Sequence, residues 1–229
     1  MLTIVPTPLG NLEDMSPRAL RALKEARAVY CEDTRRTRAL MSHFRIPTPL
    51  LRYQEHDERS ALGLLERLKG GENLALVSDS GLPGISDPGR RIVSLAREAR
   101  LPVTALPGPS AVTAALAGSG LPADSFVFLG FLPRSEGKQK NILLEAAQLG
   151  RTLVIYESPY RVLKLLARAQ EVLGPGARTC VVRELSKIHE EWLSGALEEV
   201  RGELERRGEL LGEFVVMLHP GRESHVGPH

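Results

Sequence analysis

Residues 76–92 read LVSDSGLPGISDPGRRI. An apolar run enters from residue 73, a segment of Asp, Ser, Gly and Pro follows, and an Arg-bearing stretch with helical spacing begins at its end. Such a loop between a strand and a helix is where α/β proteins hold ligands. The same strand–loop–helix unit, repeated along the chain, decides the fold. Before it, strands are predicted at residues 2–5 and 28–31. Helices are predicted from Pro17 with Ser16 as cap, at 34–44, and at 57–68 through Leu62, Leu65 and Leu68. Beyond residues 73–77, a helix at 88–97 capped by Asp87, a strand at 103–106 and a helix at 111–117 complete the first half. Alternation at this pitch implies a parallel sheet with helices on both faces.

The turn-rich string GSGLPAD (118–124) reads as a link, which places a first domain at 1–118 and a second at 119–220, with a tail at 221–229. In the second, strands are predicted at 126–129, 152–156, 179–183, 191–193 and 214–218. Helices are predicted at 141–148, from Ser158-Pro159 to about Leu173, and at 196–207. Two consecutive strands at 179–193 without a helix between them imply a hairpin and a mixed sheet.

Composition narrows the class. The 229 residues are 42% hydrophobic and 25% charged, as in globular enzymes. Net charge is +2, with 24 Arg against 6 Lys. Arg suits phosphates and bases, but this excess also follows from genome composition and names no partner. Cys31 and Cys180 form no CxxC pair and fit a reducing cytoplasm. The N-terminus, broken at Pro6 and Pro8, reads as no signal peptide. Pro102, Pro107, Pro109 and Pro122 interrupt the uncharged stretch 101–123, so no membrane span is expected. No HExxH or Cys/His cluster calls for a metal. His219, His225 and His229 are expected in or near the tail, and His189 is not read as a ligand.

Phosphate is the first candidate for a glycine-rich loop, yet neither GxxxxGK[ST] nor GxGxxG occurs. Asp79 and Asp87 lie inside the loop and its first cations, Arg90 and Arg91, follow it, so a polyphosphate would be repelled. The loop suits a ligand that is neutral or positive at its working end. S-adenosylmethionine, with its sulfonium, ammonium and ribose diol, is one, and Asp79 is expected to accept hydrogen bonds from it, a tight turn in which Asp79 and Asp87 cap backbone N–H groups being the alternative.

The strings TPLGNLEDMSPRAL (7–20), CEDTRRT (31–37), SDSGLPGISDPG (78–89), PGPSAV (107–112), FLGFLPR (128–134), YESPYR (156–161) and RELSKIHEE (183–191) occur in this order. Together they resemble the tetrapyrrole-methylase superfamily, and within it the branch of ribosomal RNA small subunit methyltransferase I. The resemblance covers residues 1–220. It implies two α/β domains with the active cleft between them, a homodimer, and 2′-O-methylation of a cytidine in the decoding region of 16S rRNA by S-adenosylmethionine. Porphyrin methylases resemble GPGDP and GGDP at the two loops where this chain has Thr7-Pro8-Leu9-Gly10-Asn11 and Ser78-Asp79-Ser80-Gly81. That argues against a tetrapyrrole substrate. A porphyrin or corrin methylase, or a non-catalytic RNA-binding assembly protein, are the competing functions. Leu82 replaces the Thr usual in the family, and Ser186 stands where Thr is common.

Carried over by motif, Pro8, Leu9, Asp79, Gly81, Pro83, Ile85, Ser110 and Ala111 are expected to line the cofactor. Tyr156 is expected either to close over it or to be a structural Tyr. The run 183–191 holds cations and acids in nine residues. Lys187 is the candidate electrostatic activator of the ribose hydroxyl and Glu184 its orienting partner, a surface ion-pair cluster being the alternative. If this run is a strand, Arg183, Leu185 and Lys187 share one face. RNA phosphates are expected at Arg134, Lys138 and Lys140, in the loop after FLGF, and at Arg35 and Arg36. Asp33 either orients the target ribose or pairs with Arg35.

Overall fold

The structure, a computed structural model, describes residues 1–221. It divides into two compact units, Met1–Ser110 and the residues from Ala111 onward.

The first unit holds β1 (Leu2–Ile4), α1 (Pro17–Glu25), β2 (Ala28–Cys31), α2 (Thr34–His43), β3 (Leu50–Arg52), α3 (Glu58–Lys69), β4 (Leu74–Leu76), α4 (Arg90–Glu98) and β5 (Val103–Ala105). The strands form one sheet in the order β3-β2-β4-β1-β5, every pair parallel. Alternation within each strand feeds two cores. Leu2, Ile4, Ala28, Tyr30, Leu74 and Leu76 pack with α3 and α4 through Leu64, Leu65, Leu68, Ile92 and Ala96. Val29, Cys31 and Ala75 face α1 and α2 through Ala19, Leu23 and Met41. Both faces are therefore covered, and each fully buried leucine contributes about 1.5–3 kcal/mol.

Helix starts follow local chemistry in α1, α2 and α3. Ser16 Oγ accepts from the Ala19 amide at 3.1 Å, with Pro17 at the first helical position. Asp33 and Asp57 cap α2 and α3 in the same way. Helix α4 departs from expectation. Its cap is Gly89, which has no side chain to offer, and the helix begins at Arg90 rather than 88. The capping carboxylate comes from Glu55, whose oxygens accept from the Gly89 amide at 2.7 Å and the Arg91 amide at 2.9 Å. Glycine suits this position because φ is +140° and a Cβ would fall 3.3 Å from the Gly84 nitrogen as well as 2.9 Å from Leu76 Cδ2.

The second unit holds α5 (Ala111–Gly118), β6 (Phe126–Phe131), α6 (Glu136–Ala147), β7 (Thr152–Glu157), α7 (Val162–Leu173), β8 (Arg178–Arg183), β9 (Glu191–Ala196), α8 (Leu197–Arg206) and β10 (Phe214–His219). Its sheet runs β6-β7-β10-β8-β9; β6 and β7 are parallel and the other pairs antiparallel. The mixed sheet and the β8–β9 hairpin are as expected. Helices α6, α7 and α8 cover one face. On the other, Val112, Ala115 and Leu116 of α5 pack against Val154, Cys180, Val182, Val215 and Met217.

That packing assigns α5 to the second unit, so the structure divides after Ser110 and not at the turn-rich segment after residue 118. Gly118 is glycine for a packing reason: a Cβ there would lie 2.6 Å from Trp192 Cη2. His219 is a buried residue of β10, its Nδ1 3.3 Å from Thr152 Oγ1. The expected tail, including His225 and His229, lies outside the described residues apart from Gly221. No helix among the described residues is long and apolar enough to cross a membrane.

Candidate functional site

In the first sheet, neighbouring β1 and β4 send their chains in opposite directions. From β1 the chain passes through α1 to β2, and from β4 through α4 to β5 on the far side. The two connecting helices lie on opposite faces. This is a topological switch point, where parallel sheets leave a crevice outside the strand ends. The two loops that leave those strands are the strings 7–20 and 78–89.

They are sewn together by backbone. Thr7 and Gly81 exchange hydrogen bonds, N–H to carbonyl at 2.9 and 3.0 Å. Thr7 Oγ1 donates to the Ser78 carbonyl at 3.1 Å, and Ser78 Oγ to the Gly81 carbonyl at 3.1 Å. Gly81 has φ +80°, and a Cβ would meet Leu9 Cδ2 at 3.2 Å, so this approach is open only to glycine without strain. A groove of about 430 Å³ beside the seam is lined by Thr7, Pro8, Leu9, Arg36, Ser78 and Asp79, among others.

Asp79 is the feature the fold leaves unfinished. Its Oδ1 is buried and accepts no hydrogen bond among the described residues. Its Oδ2 faces Arg36 Nη1 at 3.6 Å. A buried carboxylate oxygen without a donor is costly, and a ligand bearing N–H or O–H groups would repair it. Pro8, Leu9 and Asp79 thus come together. Pro83 is buried within the loop. Ile85, 56% exposed, lines a different groove of about 870 Å³ with Glu32, Glu55, His56, Asp87 and Arg90. Gly108 is pressed against the first strand's exit, since a Cβ would lie 2.4 Å from Pro6 Cγ. This seats the segment before Ser110 beside that exit; Ala111 is the first residue of α5.

At the start of α2, Asp33 is already spent. It accepts from the Arg35 amide at 2.8 Å and from the Arg35 guanidinium at 3.3 and 3.1 Å. These bonds bring its pKa down to about 2. Of the two readings of Asp33, the pairing is the one realised. Arg35 remains 89% exposed, whereas Arg36 leans toward Asp79.

In the second unit, β6, β7 and β8 end on one edge of the sheet. The expected strand through residues 183–188 stops at Arg183: Glu184 and Ser186 have φ of 53° and 64°, so the backbone turns and the proposed shared face does not form. Lys187 and Glu184 nevertheless meet. Lys187 Nζ donates to Glu184 Oε1 and Glu213 Oε2, both at 2.9 Å, and Glu184 Oε1 also accepts from the Glu213 amide at 2.8 Å. Burial opposes both charges, but the hydrogen bonds outweigh it, lowering the pKa of Glu184 and raising that of Lys187. Gly212 completes the turn, with φ +94° and no room for a Cβ, which would lie 2.6 Å from Glu184 Cγ.

Tyr156, at the end of β7, sits edge-on to Phe128 and Phe131, with centroids 5.0 and 5.6 Å apart. Arg134 is exposed in the loop after β6. Lys138 and Lys140 are not in that loop but on α6, which begins at Glu136, five residues before the expected start; Lys140 pairs with Glu171 at 3.7 Å.

Residues 1–201 match the family model of Tetrapyrrole (Corrin/Porphyrin) Methylases. A relative in Synechocystis sp., ribosomal RNA small subunit methyltransferase I, is 44% identical over 86% of this chain and 71% of its own. The protein of the same name from Thermotoga maritima is 40% identical over 95% of this chain and 97% of its own. This chain belongs to the ribosomal RNA small subunit methyltransferase I family of tetrapyrrole methylases. The fold is shared more widely. Uroporphyrin-III C-methyl transferase from Thermus thermophilus, solved in complex with S-adenyl homocysteine, superposes with a TM-score of 0.63 over 94% of this chain and 96% of its own, at 23% identity.

Against the family pattern, the Thr-to-Leu departure at residue 82 has a structural use: Leu82 packs on the α3–α4 core. Reasoning from sequence missed Glu55, which anchors the far end of the 78–89 loop from 34 residues upstream. Nothing in the local string signals that contact. It also missed the Glu157–Arg161 pair within YESPYR, described below, although two opposite charges four residues apart at a strand end were visible.

Proposed function

We propose that the chain transfers the methyl group of S-adenosylmethionine to the 2′-hydroxyl of a cytidine in the decoding region of 16S rRNA. Membership of the ribosomal RNA small subunit methyltransferase I family along nearly the whole chain carries this reading. The crevice at the β1–β4 switch point supports it. An acceptor-only oxygen of Asp79, buried and unsatisfied, suits the ammonium or ribose hydroxyls of the cofactor and repels a polyphosphate. Pro8, Leu9 and the Cβ-free face of Gly81 offer an apolar wall beside it. Pro83, Ile85, Ser110, Ala111 and Tyr156 remain the other candidate cofactor contacts.

When bound, the cofactor supplies an electrophilic methyl on a sulfonium. The chain's contribution is alignment, which is worth much of the acceleration in an in-line displacement. Lys187, its ammonium stabilised by two carboxylates, keeps its proton. It can therefore stabilise a developing alkoxide but not accept the proton. Glu184 holds it and forms the turn at once. Arg35, Arg36, Arg134, Lys138 and Lys140 are the proposed phosphate contacts, with Asp33 setting the position of Arg35. The reaction belongs to the cytoplasm, where the small subunit is.

The test is incubation with labelled S-adenosylmethionine and undermethylated small subunits, followed by nucleoside mass analysis. A 2′-O-methylcytidine is expected. Label in a uroporphyrinogen alone, or cofactor binding without turnover on any substrate, would overturn the proposal.

A further inference from the structure

The edge where β6, β7 and β8 end carries two large side chains that the fold does not bury. Phe131, the last residue of β6, is 62% exposed, and Tyr160, in the turn after β7, is 83% exposed. Neither belongs to a core cluster of the second unit. We infer that Phe131 and Tyr160 form a stacking platform for unpaired bases of the RNA substrate, an inference that rests on the methylation reading above.

The supports under these rings are unusually firm for an exposed edge. Strand register sets Phe131 opposite Tyr156, and the two rings meet edge to face at 63°. Phe128 backs Tyr156 at 68°. Below Tyr160, Glu157 is buried, its side chain only 1% exposed. Its Oε1 accepts from the Ser158 amide at 2.8 Å and its Oε2 pairs with Arg161 Nη2 at 3.0 Å. The same Nη2 donates to the Leu132 carbonyl at 2.7 Å. One guanidinium thus ties the residue after Phe131 to the turn that carries Tyr160. A buried ion pair contributes little net stability, so its use here is to fix two exposed aromatic segments relative to each other. With the Phe131 ring set against Tyr156 and the turn that carries Tyr160 tied down, less freedom is lost when a base stacks on them.

Charge identifies the occupant. Arg134 follows Phe131 by three residues and Lys138 lies on the first turn of α6. Both are exposed, and neither has an ion-pair partner among the described residues. Aromatic faces bordered by unpaired cations are the composition of a single-strand nucleic-acid site. A second copy of the chain docking on this face would bring the same cations to both sides of an isologous contact.

A short unstructured oligoribonucleotide carrying a fluorescent purine analogue tests the platform without the methyl donor present. Wild-type protein is expected to bind it and quench the analogue. Phe131→Ala and Tyr160→Ala are each expected to weaken binding about tenfold, the loss of one stacked base, and to relieve the quenching. Phe131→Tyr and Tyr160→Phe are expected to retain both, and calorimetry is expected to give all variants the wild-type affinity for S-adenosylmethionine. Alanine variants that bind the strand like wild type would overturn the platform, as would a wild-type protein that does not bind it. A change of oligomeric state in the alanine variants, read by sedimentation, would show a self-association face and overturn it too. Methyl transfer to small subunits by the wild-type enzyme is scored separately, so its failure counts against the function and not against the stacking assay.

Discussion

The loops at residues 78–89 and 184–190 leave the ends of strands in two different sheets, and they are shaped by opposite means. The first is made mainly by backbone, with the Glu55 carboxylate holding its far end. Glycines at 81, 84 and 89 take positive φ, and Thr7 and Gly81 close a seam through main-chain hydrogen bonds. The second is made by side chains. Non-glycine residues, Glu184 and Ser186, occupy the left-handed region, at a cost of about 1–2 kcal/mol each. What holds them is the Lys187–Glu184–Glu213 set and a bond from the Ser186 amide to Glu190 Oε2 at 2.5 Å. A loop fixed largely by backbone leaves one oxygen of Asp79, Oδ1, without a donor among the described residues. A loop fixed by ion pairs has spent its charges on its own shape.

The contrast is sharpest at the carboxylates. Asp79→Ala removes a group the first loop does not need, so the thermal midpoint is expected to hold. Cofactor affinity is expected to fall roughly ten- to hundredfold, the loss of a charge-assisted hydrogen bond. Calorimetry at wild-type affinity would remove Asp79 from the site. At the glycines the order reverses. Gly212→Ala places a Cβ against Glu184 at positive φ and is expected to cost about 2 kcal/mol in denaturant unfolding. Gly81→Ala meets only the movable Leu9 Cδ2 and is expected to cost about 1 kcal/mol, mostly backbone strain.

Lys187→Ala is expected to slow methyl transfer about tenfold while cofactor binding persists. That is less than the roughly hundredfold loss seen for a dedicated oxyanion donor, because two carboxylates already share its charge. Unchanged turnover in a single-turnover assay would leave Lys187 as scaffold alone.

The smallest effect is in pH. Glu184 has a folded pKa below its ordinary 4.5. Its contribution is therefore complete above that value and is lost as pH falls through the folded pKa. Lys187 has a pKa raised above 10.5, so its contribution is complete below that value and fades only as pH rises through the folded one. Amide protection factors in residues 184–190 are expected to be flat through neutrality and to fall as pH drops below the ordinary carboxylate value through the lowered pKa of Glu184, with Glu184→Gln poorly protected throughout. The Thr7–Gly81 seam, built of amides, is expected to show no such step, whereas the far end of that loop, held by Glu55, shares the acid sensitivity.

The first sheet was largely legible because its central strands are short apolar runs between well-capped helices. Its edge was not. β3 is three residues long, half-buried or exposed, and follows Pro47 and Pro49, so no alternation marks it. The start of α6 was hidden because Gln139 is the only buried residue in its first five. Asp87-Pro88-Gly89 carries the chemistry of a helix start, yet a residue remote in sequence delivers the cap. The candidate site showed the same division. The strings placed Pro8, Leu9 and Asp79 on the two loops that the structure brings to one groove. The left-handed turn at Glu184 could not, because no residue type announces it.

The remote cap on α4 also bears on the order in which the molecule assembles. Glu55 reaches Gly89 and Arg91 only after the chain between β3 and α3 has taken its place at the sheet edge. Until then the first turn of α4 has no carboxylate partner and residues 78–89 are anchored at one end alone. Closing that contact is a long-range event, and its loop-closure entropy is lost before the contact forms. If residues 78–89 condense late in folding, Glu55→Gln is expected to speed unfolding while barely touching the refolding arm of the chevron.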